Sequence, residues 1–255
     1  MRILDCNLNF GATNNGEPYR NCDTFEELLA ELDRCGIGGG LVRCGYSSTV
    51  GVNYGNDFVA RCVTSEAAKR YDLYGVWAVI PPYTDETPKP EALPGAMKQN
   101  RVGAVYLSPR VHRYELNALT MGAYLDVLQQ TKIPVILNTA NGIPMDAIYR
   151  VMADFPRLTA IVGDSDCWPN ARRLYPLAYR YENLRLDLSY IMDAGGIEDM
   201  TRRFGAEKLL FGTAFPYRYT GSMLAVTRAA AIAEADRETI FGGNLANMIE
   251  EAGLR

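Results

Sequence analysis

Polar side chains alternate along the first predicted strand, at positions where a buried strand is normally apolar. Asp5, Asn7 and Asn9 stand two residues apart within the segment ILDCNLNFG at 3–11. Because successive side chains of a strand point to opposite faces, all three are expected on one face. Buried polar groups need hydrogen-bond partners or water, so this face indicates a site rather than ordinary core.

Other predicted strands also end in side chains that can bind a ligand or transfer a proton. Arg43 and Arg110 follow the second and fourth strands, and a guanidinium can hold an anion in fork geometry. Asn138 ends the fifth strand and is a candidate binding residue. Asp164 follows the sixth strand and is the candidate general base. The single histidine, His112, lies in the loop after the fourth strand, and its role stays open.

Each of these residues also has a purely structural interpretation. The asparagines can form an internal hydrogen-bond network, and Asp164 can be held by an arginine or by backbone amides. Either arginine can belong to a structural ion pair. Asp5 is expected to be a structural acceptor deep in the fold rather than a catalyst.

The elements that position these residues alternate regularly along the chain. Apolar runs typical of buried parallel strands are predicted at 3–8, 40–44, 73–80, 102–107, 133–138, 158–163, 184–188 and 209–212. A first helix is predicted to be capped at Asp23, with Glu26 at the third helical position, and to end at Gly36. Further helices are predicted at 56–71, 90–100, 118–131, 144–154, 170–179, 196–204, 222–234 and 244–252.

Eight strands alternating with helices predict an α/β fold, namely a single (β/α)8 TIM barrel spanning residues 1–255. In such a barrel the functional groups lie where the strands end. The named side chains should therefore meet at one mouth.

Composition excludes several partner classes. A formal net charge of −4 gives no electrostatic case for nucleic acid or an anionic membrane, and no apolar run approaches a membrane span. The six cysteines form no CxxC pair and are interpreted as reduced thiols. We expect a cytoplasmic protein without a signal peptide. Its expected partner is a small-molecule ligand or substrate, and a homo-oligomer is one expected state of assembly.

Longer phrases carry a family resemblance over nearly the whole chain. They are GAVYL at 103–107, IPVILNT at 133–139, FPRL at 155–158 leading to Gly163-Asp164, GAEKLLFGTAFP at 205–216, and IFGGNLA at 240–246. In this order they resemble the amidohydrolase-related (amidohydrolase 2) family of the amidohydrolase superfamily. The resemblance implies the barrel of the metal-dependent hydrolases.

The resemblance also implies a metal site, and this chain departs from it at every ligand position. Where the family carries two histidines on the first strand, this chain carries Asn7 and Asn9. The later two histidines correspond to Asn138 and Asp164, and the aspartate that binds metal and accepts a proton corresponds to Ala214. A neutral amide is a poor ligand for zinc. We therefore expect no metal, no other cofactor and no metal-dependent catalysis.

Three functions remain open on these grounds. The first is binding of a small polar molecule without metal chemistry. The second is a metal-independent hydrolase of the lactonase type, or a lyase or decarboxylase, acting on a small carboxylate or lactone with Asp164 as base and Arg43 or Arg110 as electrostatic stabiliser. The third is an oxygen-ligated Mg²⁺ or Ca²⁺ site that uses Asp164, Asp166 and the amides.

Overall fold

Eight parallel strands form the sheet at the centre of the molecule. A computed structural model describes residues 2–12, 19–165, 171–191 and 193–255. The strands pair in chain order, each with the next. They are β1 Leu4–Phe10, β2 Gly39–Cys44, β3 Asp72–Ala78, β4 Val102–Tyr106, β5 Val135–Asn138, β6 Ala160–Gly163, β7 Leu184–Asp187 and β8 Leu209–Leu210.

The segment after β8 closes the sheet back onto β1. Cys6 donates its backbone N–H to the carbonyl of Phe211 at 2.9 Å, and Asn9 donates to the carbonyl of Phe215 at 2.8 Å. Leu8 and Phe215 also form a parallel bridge. The predicted (β/α)8 barrel is confirmed, and its strand ends meet at one mouth.

Helices connect the strands on the outside of the barrel. In the described part of the chain they are α1 Phe25–Cys35, α2 Tyr46–Thr49, α3 Val52–Val63, α4 Leu93–Gln99, α5 Pro109–His112, α6 Ala118–Thr131, α7 Met145–Asp154, α8 Ala171–Arg180, α9 Gly196–Phe204, α10 Thr220–Ala229, α11 Glu234–Glu238 and α12 Asn244–Glu251.

Two predicted helices were wrong in extent. The helix predicted at 56–71 begins earlier, as α3, and ends at Val63, because Ser65 adopts an extended backbone with ψ of 161°. The helix predicted at 222–234 is two helices. Ala230 is extended, and its carbonyl accepts a hydrogen bond from the Arg237 guanidinium at 2.8 Å instead of continuing the helix.

The cap of α1 lies one residue later than predicted. Thr24, not Asp23, accepts the N–H of Glu27, and the Glu27 carboxylate accepts the N–H of Thr24 at 3.0 Å in return. Together these two bonds make a capping box. Gly36 ends the helix as predicted, with a left-handed φ of 68°.

A bulge interrupts β1 between Asp5 and Leu8. The Asp5 carboxylate accepts the N–H of Asn7 at 2.8 Å, and also the N–H and hydroxyl of Thr213 at 3.2 and 2.6 Å. Asp5 therefore joins β1 to the chain after β8. It is the structural acceptor that was predicted, and the regular alternation expected through Asn9 does not hold at this point.

The described residues include no helix long and apolar enough to cross a membrane. The five cysteines among them are free thiols: Cys6, Cys22, Cys35, Cys44 and Cys62. Burial raises the pKa of each, to about 11 for Cys35 and Cys62 and further for the others. No described cysteine is therefore poised as a thiolate nucleophile.

Candidate binding site at the barrel mouth

Asn7 lies at the centre of the mouth, in a fully bonded network. Its Nδ2 donates to Asp187 Oδ2 at 2.9 Å and to Ser189 Oγ at 3.3 Å, and its Oδ1 accepts from Asn9 Nδ2 at 3.2 Å. Arg43 Nη2 donates to the same Oδ1 at 3.0 Å. A carboxylate only accepts and a guanidinium only donates, so these two neighbours fix the orientation of the amide.

Asp187 anchors this network from the end of β7, where only 3% of it is exposed. Its Oδ1 accepts the backbone N–H of Ser189 at 2.9 Å and the Ser189 hydroxyl at 2.5 Å. Three hydrogen bonds from Asn7 and Ser189 therefore converge on one carboxylate. The charge of Asp187 is thus held by hydrogen bonds rather than by a described cation.

Gly163 has no side chain, and this leaves room for the arrangement. A Cβ on Gly163 would lie 2.3 Å from Asn138 Nδ2 and 3.3 Å from Asp187 Oδ2. The Asn138 amide and the Asp187 carboxylate therefore approach each other across β6. The Asn138 Oδ1 is occupied as well, because it accepts the N–H of Ala140 at 2.8 Å.

Arg43 extends from β2 into the mouth. Its Nη1 donates to Asn141 Oδ1 at 2.6 Å, while Nη2 reaches Asn7. The guanidinium also stacks over the ring of Tyr106 at 5.3 Å from the centroid. These contacts, made with groups from β1, from β4 and from the segment after β5, hold the cation at a defined position.

A cavity of about 410 Å³ opens above this network. It is lined by Arg43, Ala140, Asn141, Ser165, Tyr190, Tyr217 and Arg218. The Arg218 guanidinium lies 4.9 Å from the ring centroid of Tyr190. Burial raises the pKa of Tyr190 to about 12, so its hydroxyl stays neutral. Two guanidinium groups and the neutral phenol of Tyr190 thus border one small space.

Asp164 is buried at the end of β6, beside the cavity residue Ser165. Arg173 Nε lies 3.2 Å from its Oδ2, and the Thr139 hydroxyl donates to its Oδ1 at 3.1 Å. The structural interpretation, a carboxylate held by an arginine, therefore describes its contacts. Asp166, which the oxygen-ligated metal hypothesis also used, lies outside the described residues.

Of the sequence candidates, the structure brings together Asn7, Asn9, Arg43 and Asn138. Asn9 Nδ2 donates to the Phe215 carbonyl at 3.0 Å in addition to Asn7. Arg110 is not part of this group: it is exposed in a separate groove, where its Cβ packs against Gly142.

His112 lies beside Tyr106, with the two ring centroids 6.5 Å apart, and Ala214 has no group that can transfer a proton. His112 contacts the Ser47 carbonyl through Nε2 at 3.1 Å, and burial lowers its pKa. Ala214, at the position of the family's aspartate, is fully buried with a left-handed φ of 54°.

Sequence reasoning missed Asp187, Asn141, Tyr190 and Arg218 as site residues. Asp187 carried a usable signal, because it is the last residue of a predicted strand and is followed two positions later by Ser189. The other three follow strand ends by several residues, where strand alternation no longer sets the direction of a side chain.

Within the described ranges, no three His, Cys, Asp or Glu side chains lie close enough to hold a metal ion. The three amides at the family's histidine positions already take part in hydrogen bonds with protein groups.

These features define an α/β barrel of the amidohydrolase type with a polar mouth. The family model described as amidohydrolase matches residues 21–247, and the chain belongs to this family. No curated protein sequence matches it.

Several solved structures share the fold. An uncharacterized TIM-barrel protein from Bordetella bronchiseptica is 22% identical, with a TM-score of 0.73 over 99% of this chain and 100% of that one. A dihydroxybenzoic acid decarboxylase from Polaromonas, with bound manganese and the inhibitor 2-nitroresorcinol, is 16% identical, with a TM-score of 0.70 over 98% and 97%. A probable 2-pyrone-4,6-dicarboxylic acid hydrolase from Acinetobacter baumannii, with citric acid bound, is 13% identical, with a TM-score of 0.69 over 98% and 100%.

Proposed function

We propose that this protein binds a small carboxylate-bearing molecule at the barrel mouth, without a resident transition metal. The observation that supports it most is the guanidinium of Arg43, held at the cavity by Asn7 and Asn141. A held guanidinium loses little further conformational entropy when it pairs with an anion.

The cavity favours an anionic ligand over a neutral one. Arg43 and Arg218 both line it, whereas Asp187 lies beneath and is already satisfied by its donors. Tyr190 and Tyr217 add aromatic surface and hydroxyl groups. A planar carboxylate with an attached ring or short chain matches this combination of charge, polarity and size.

The donor set does not fit a transition metal. The Asn7 oxygen accepts a hydrogen bond from a guanidinium, whose positive charge would repel a divalent cation at the same place. The Asn138 oxygen is turned to the backbone of Ala140, and Ala214 has no ligating atom. The manganese seen in the Polaromonas decarboxylase thus finds no equivalent ligand set in the described residues.

Calorimetric titration with benzoate and citrate, each at constant ionic strength, tests the proposal. We expect saturable binding, with benzamide binding at least tenfold more weakly than benzoate. Arg43→Gln should weaken benzoate binding by about tenfold or more, since an ion-paired guanidinium contributes about 1.4 kcal/mol or more. Arg228→Gln on the exposed face of α10 is the matched control and should bind as the unmodified protein does.

Equal affinity for benzoate and benzamide, or no loss with Arg43→Gln, would contradict carboxylate recognition. The metal part is tested separately by elemental analysis. About one transition metal per chain that disappears on Asn7→Ala would overturn it.

A second candidate function is metal-independent hydrolysis or decarboxylation of such a carboxylate. It is favoured by the buried carboxylate of Asp164, which ends β6 next to the cavity, and by the decarboxylase and hydrolase among proteins of similar fold. Once a turned-over compound is found, Asp164→Asn should lower turnover by about 100-fold or more if Asp164 is the base. Unchanged turnover would remove Asp164 from the reaction and leave the binding function.

A further inference from the structure

A second polar cavity, of about 540 Å³, lies at the opposite end of the barrel from the mouth. Its wall includes residues that precede β6 and β7, together with the last turns of α6 and α12. Among them are Lys132, Arg157, Thr159, Asn183, Arg185 and Glu251. The catalytic groups of such barrels lie at the other end, so the sequence predicts no function for this one.

Arg185 is the central cation of this cavity. It lies in β7 two residues before Asp187, so strand alternation puts both side chains on the same face. Leu184 and Leu186, on the other face, are fully buried. Because Asp187 contacts Asn7 across the mouth, the shared face is the inner one. Arg185 therefore occupies the corresponding inward position at the bottom of the barrel.

The hydrogen bonds of Arg185 leave one edge of its guanidinium without a protein acceptor. Nη1 donates to the carbonyls of Glu182 and Leu184 at 2.8 and 3.1 Å. The Nε atom is buried and has no hydrogen-bond partner within the part of the chain that the structure describes. Nε and Nη2 form the side-on edge with which arginine binds an oxyanion through two parallel bonds. A buried donor left unsatisfied is unfavourable, so this edge is suited to an acceptor from a ligand.

The surrounding charges favour an anion at this place. Lys132 and Arg157 line the same cavity. Burial, and after it the positive charge of Arg185, lowers the pKa of Lys208. The carboxylates that face Arg185 are those of Glu207 and Glu251. Glu251 also forms an ion pair with Lys132, with 3.5 Å between Oε2 and Nζ.

We propose that this cavity is a second ligand site, which takes the oxyanion group of a small molecule, phosphate or carboxylate, on the Nε–Nη2 edge of Arg185. Lys132 and Arg157 supply long-range attraction, and Asn183 and Thr159 supply polar contacts in the wall. The site is distinct from the carboxylate site at the mouth, because the two cavities share no lining residue.

Calorimetric titration of the full chain with inorganic phosphate and, separately, with succinate tests this site. Chloride is used to hold ionic strength constant. We expect saturable binding of at least one of the two. Arg185→Gln should weaken it at least tenfold, and Arg185→Lys should weaken it less, because it keeps the charge and loses the fork. Arg157→Gln, at an exposed position, should weaken it several-fold.

Two controls separate this site from the mouth and from general charge effects. The titrations are repeated with Arg43→Gln, in which anion binding at the mouth is weakened, and the binding that remains is assigned to the second cavity. Arg228→Gln should leave this remaining binding unchanged. Binding of phosphate but not succinate identifies a phosphate site, and the reverse identifies a carboxylate site. No saturable binding of either, or equal weakening by Arg228→Gln and Arg157→Gln, would overturn the proposal.

Discussion

At the scale of single residues, the mouth depends on one buried carboxylate and the amide it orients. Asp187 accepts a hydrogen bond from Asn7 Nδ2, and Asn7 Oδ1 accepts one from Arg43. The Arg43 side chain in turn lines the cavity. The position of the proposed ligand-binding cation therefore follows from a hydrogen-bond relay that starts on β7. Such relays are lost when a single member can no longer accept.

Asp187→Asn tests this relay. The new amide would place a donor against Asn7 Nδ2 or against the donors of Ser189, so at least one buried group loses its acceptor. We expect a loss of about 1–3 kcal/mol in the free energy of unfolding, measured by urea denaturation. We also expect weaker benzoate binding. Asp57→Asn, at an exposed site on α3, is the control. A variant at position 187 as stable as the unmodified protein would contradict the role given to Asp187.

At the scale of elements, the side chains of Asn138 and Asp187 approach each other across β6 because the residue between them is a glycine. Gly163 in β6 lies between Asn138 of β5 and Asp187 of β7. A side chain there would occupy the space in which the amide and the carboxylate approach. The geometry of the site therefore depends on the absence of a side chain at this position.

A pair of glycine-to-alanine variants separates this coupling from general glycine effects. Gly163→Ala brings a Cβ to 2.3 Å from Asn138 Nδ2, and we expect a destabilisation of about 1–3 kcal/mol. Gly122→Ala within α6 meets nothing within 4 Å, and we expect a gain of about 0.5–1 kcal/mol from higher helix propensity. For both variants the measured quantity is the free energy of unfolding. Similar changes in the two variants would show that the approach across β6 is not tight.

At the scale of the whole molecule, barrel closure is linked to pH through Asp5. This carboxyl joins β1 to the chain after β8, and burial raises its pKa from about 3.8 to about 7. Between these two values the folded protein holds a proton that the unfolded chain has released. The contribution of Asp5 to stability is therefore complete below about pH 4, falls as pH rises towards about 7, and is constant above that.

Urea denaturation of the unmodified protein and of Asp5→Asn between pH 4 and 8 tests this linkage. Asparagine resembles the protonated carboxyl and does not titrate. The stability of the Asp5→Asn variant should therefore lack the contribution of Asp5 to the pH dependence. As pH rises, the free energy of unfolding of the unmodified protein should fall relative to that of Asp5→Asn, by up to about 1.4 kcal/mol for each unit of the pKa change. A difference that stays constant from pH 4 to 8 would contradict a raised pKa at Asp5.

Local patterns were enough to predict the barrel and the location of most candidate residues. The eight predicted strands were found within a few residues, because apolar runs and turn residues are read over short windows. The cap of α1 shows the limit of such patterns. Asp23 with Glu26 and Thr24 with Glu27 have identical spacing, and the folded chain uses the second pair.

What the sequence by itself determined was the order of strands and helices, the family, and a polar set of strand ends. Tertiary structure decided which of these residues share a site. Arg43 lies within β2, so the sheet directs its side chain inward, whereas Arg110 lies in α5 beyond the end of β4 and turns to the surface. Asn7 and Asp187 are 180 residues apart, and only closure of the barrel brings their side chains to 2.9 Å. Contacts of that kind depend on the path of the whole chain, which no local pattern of residues encodes.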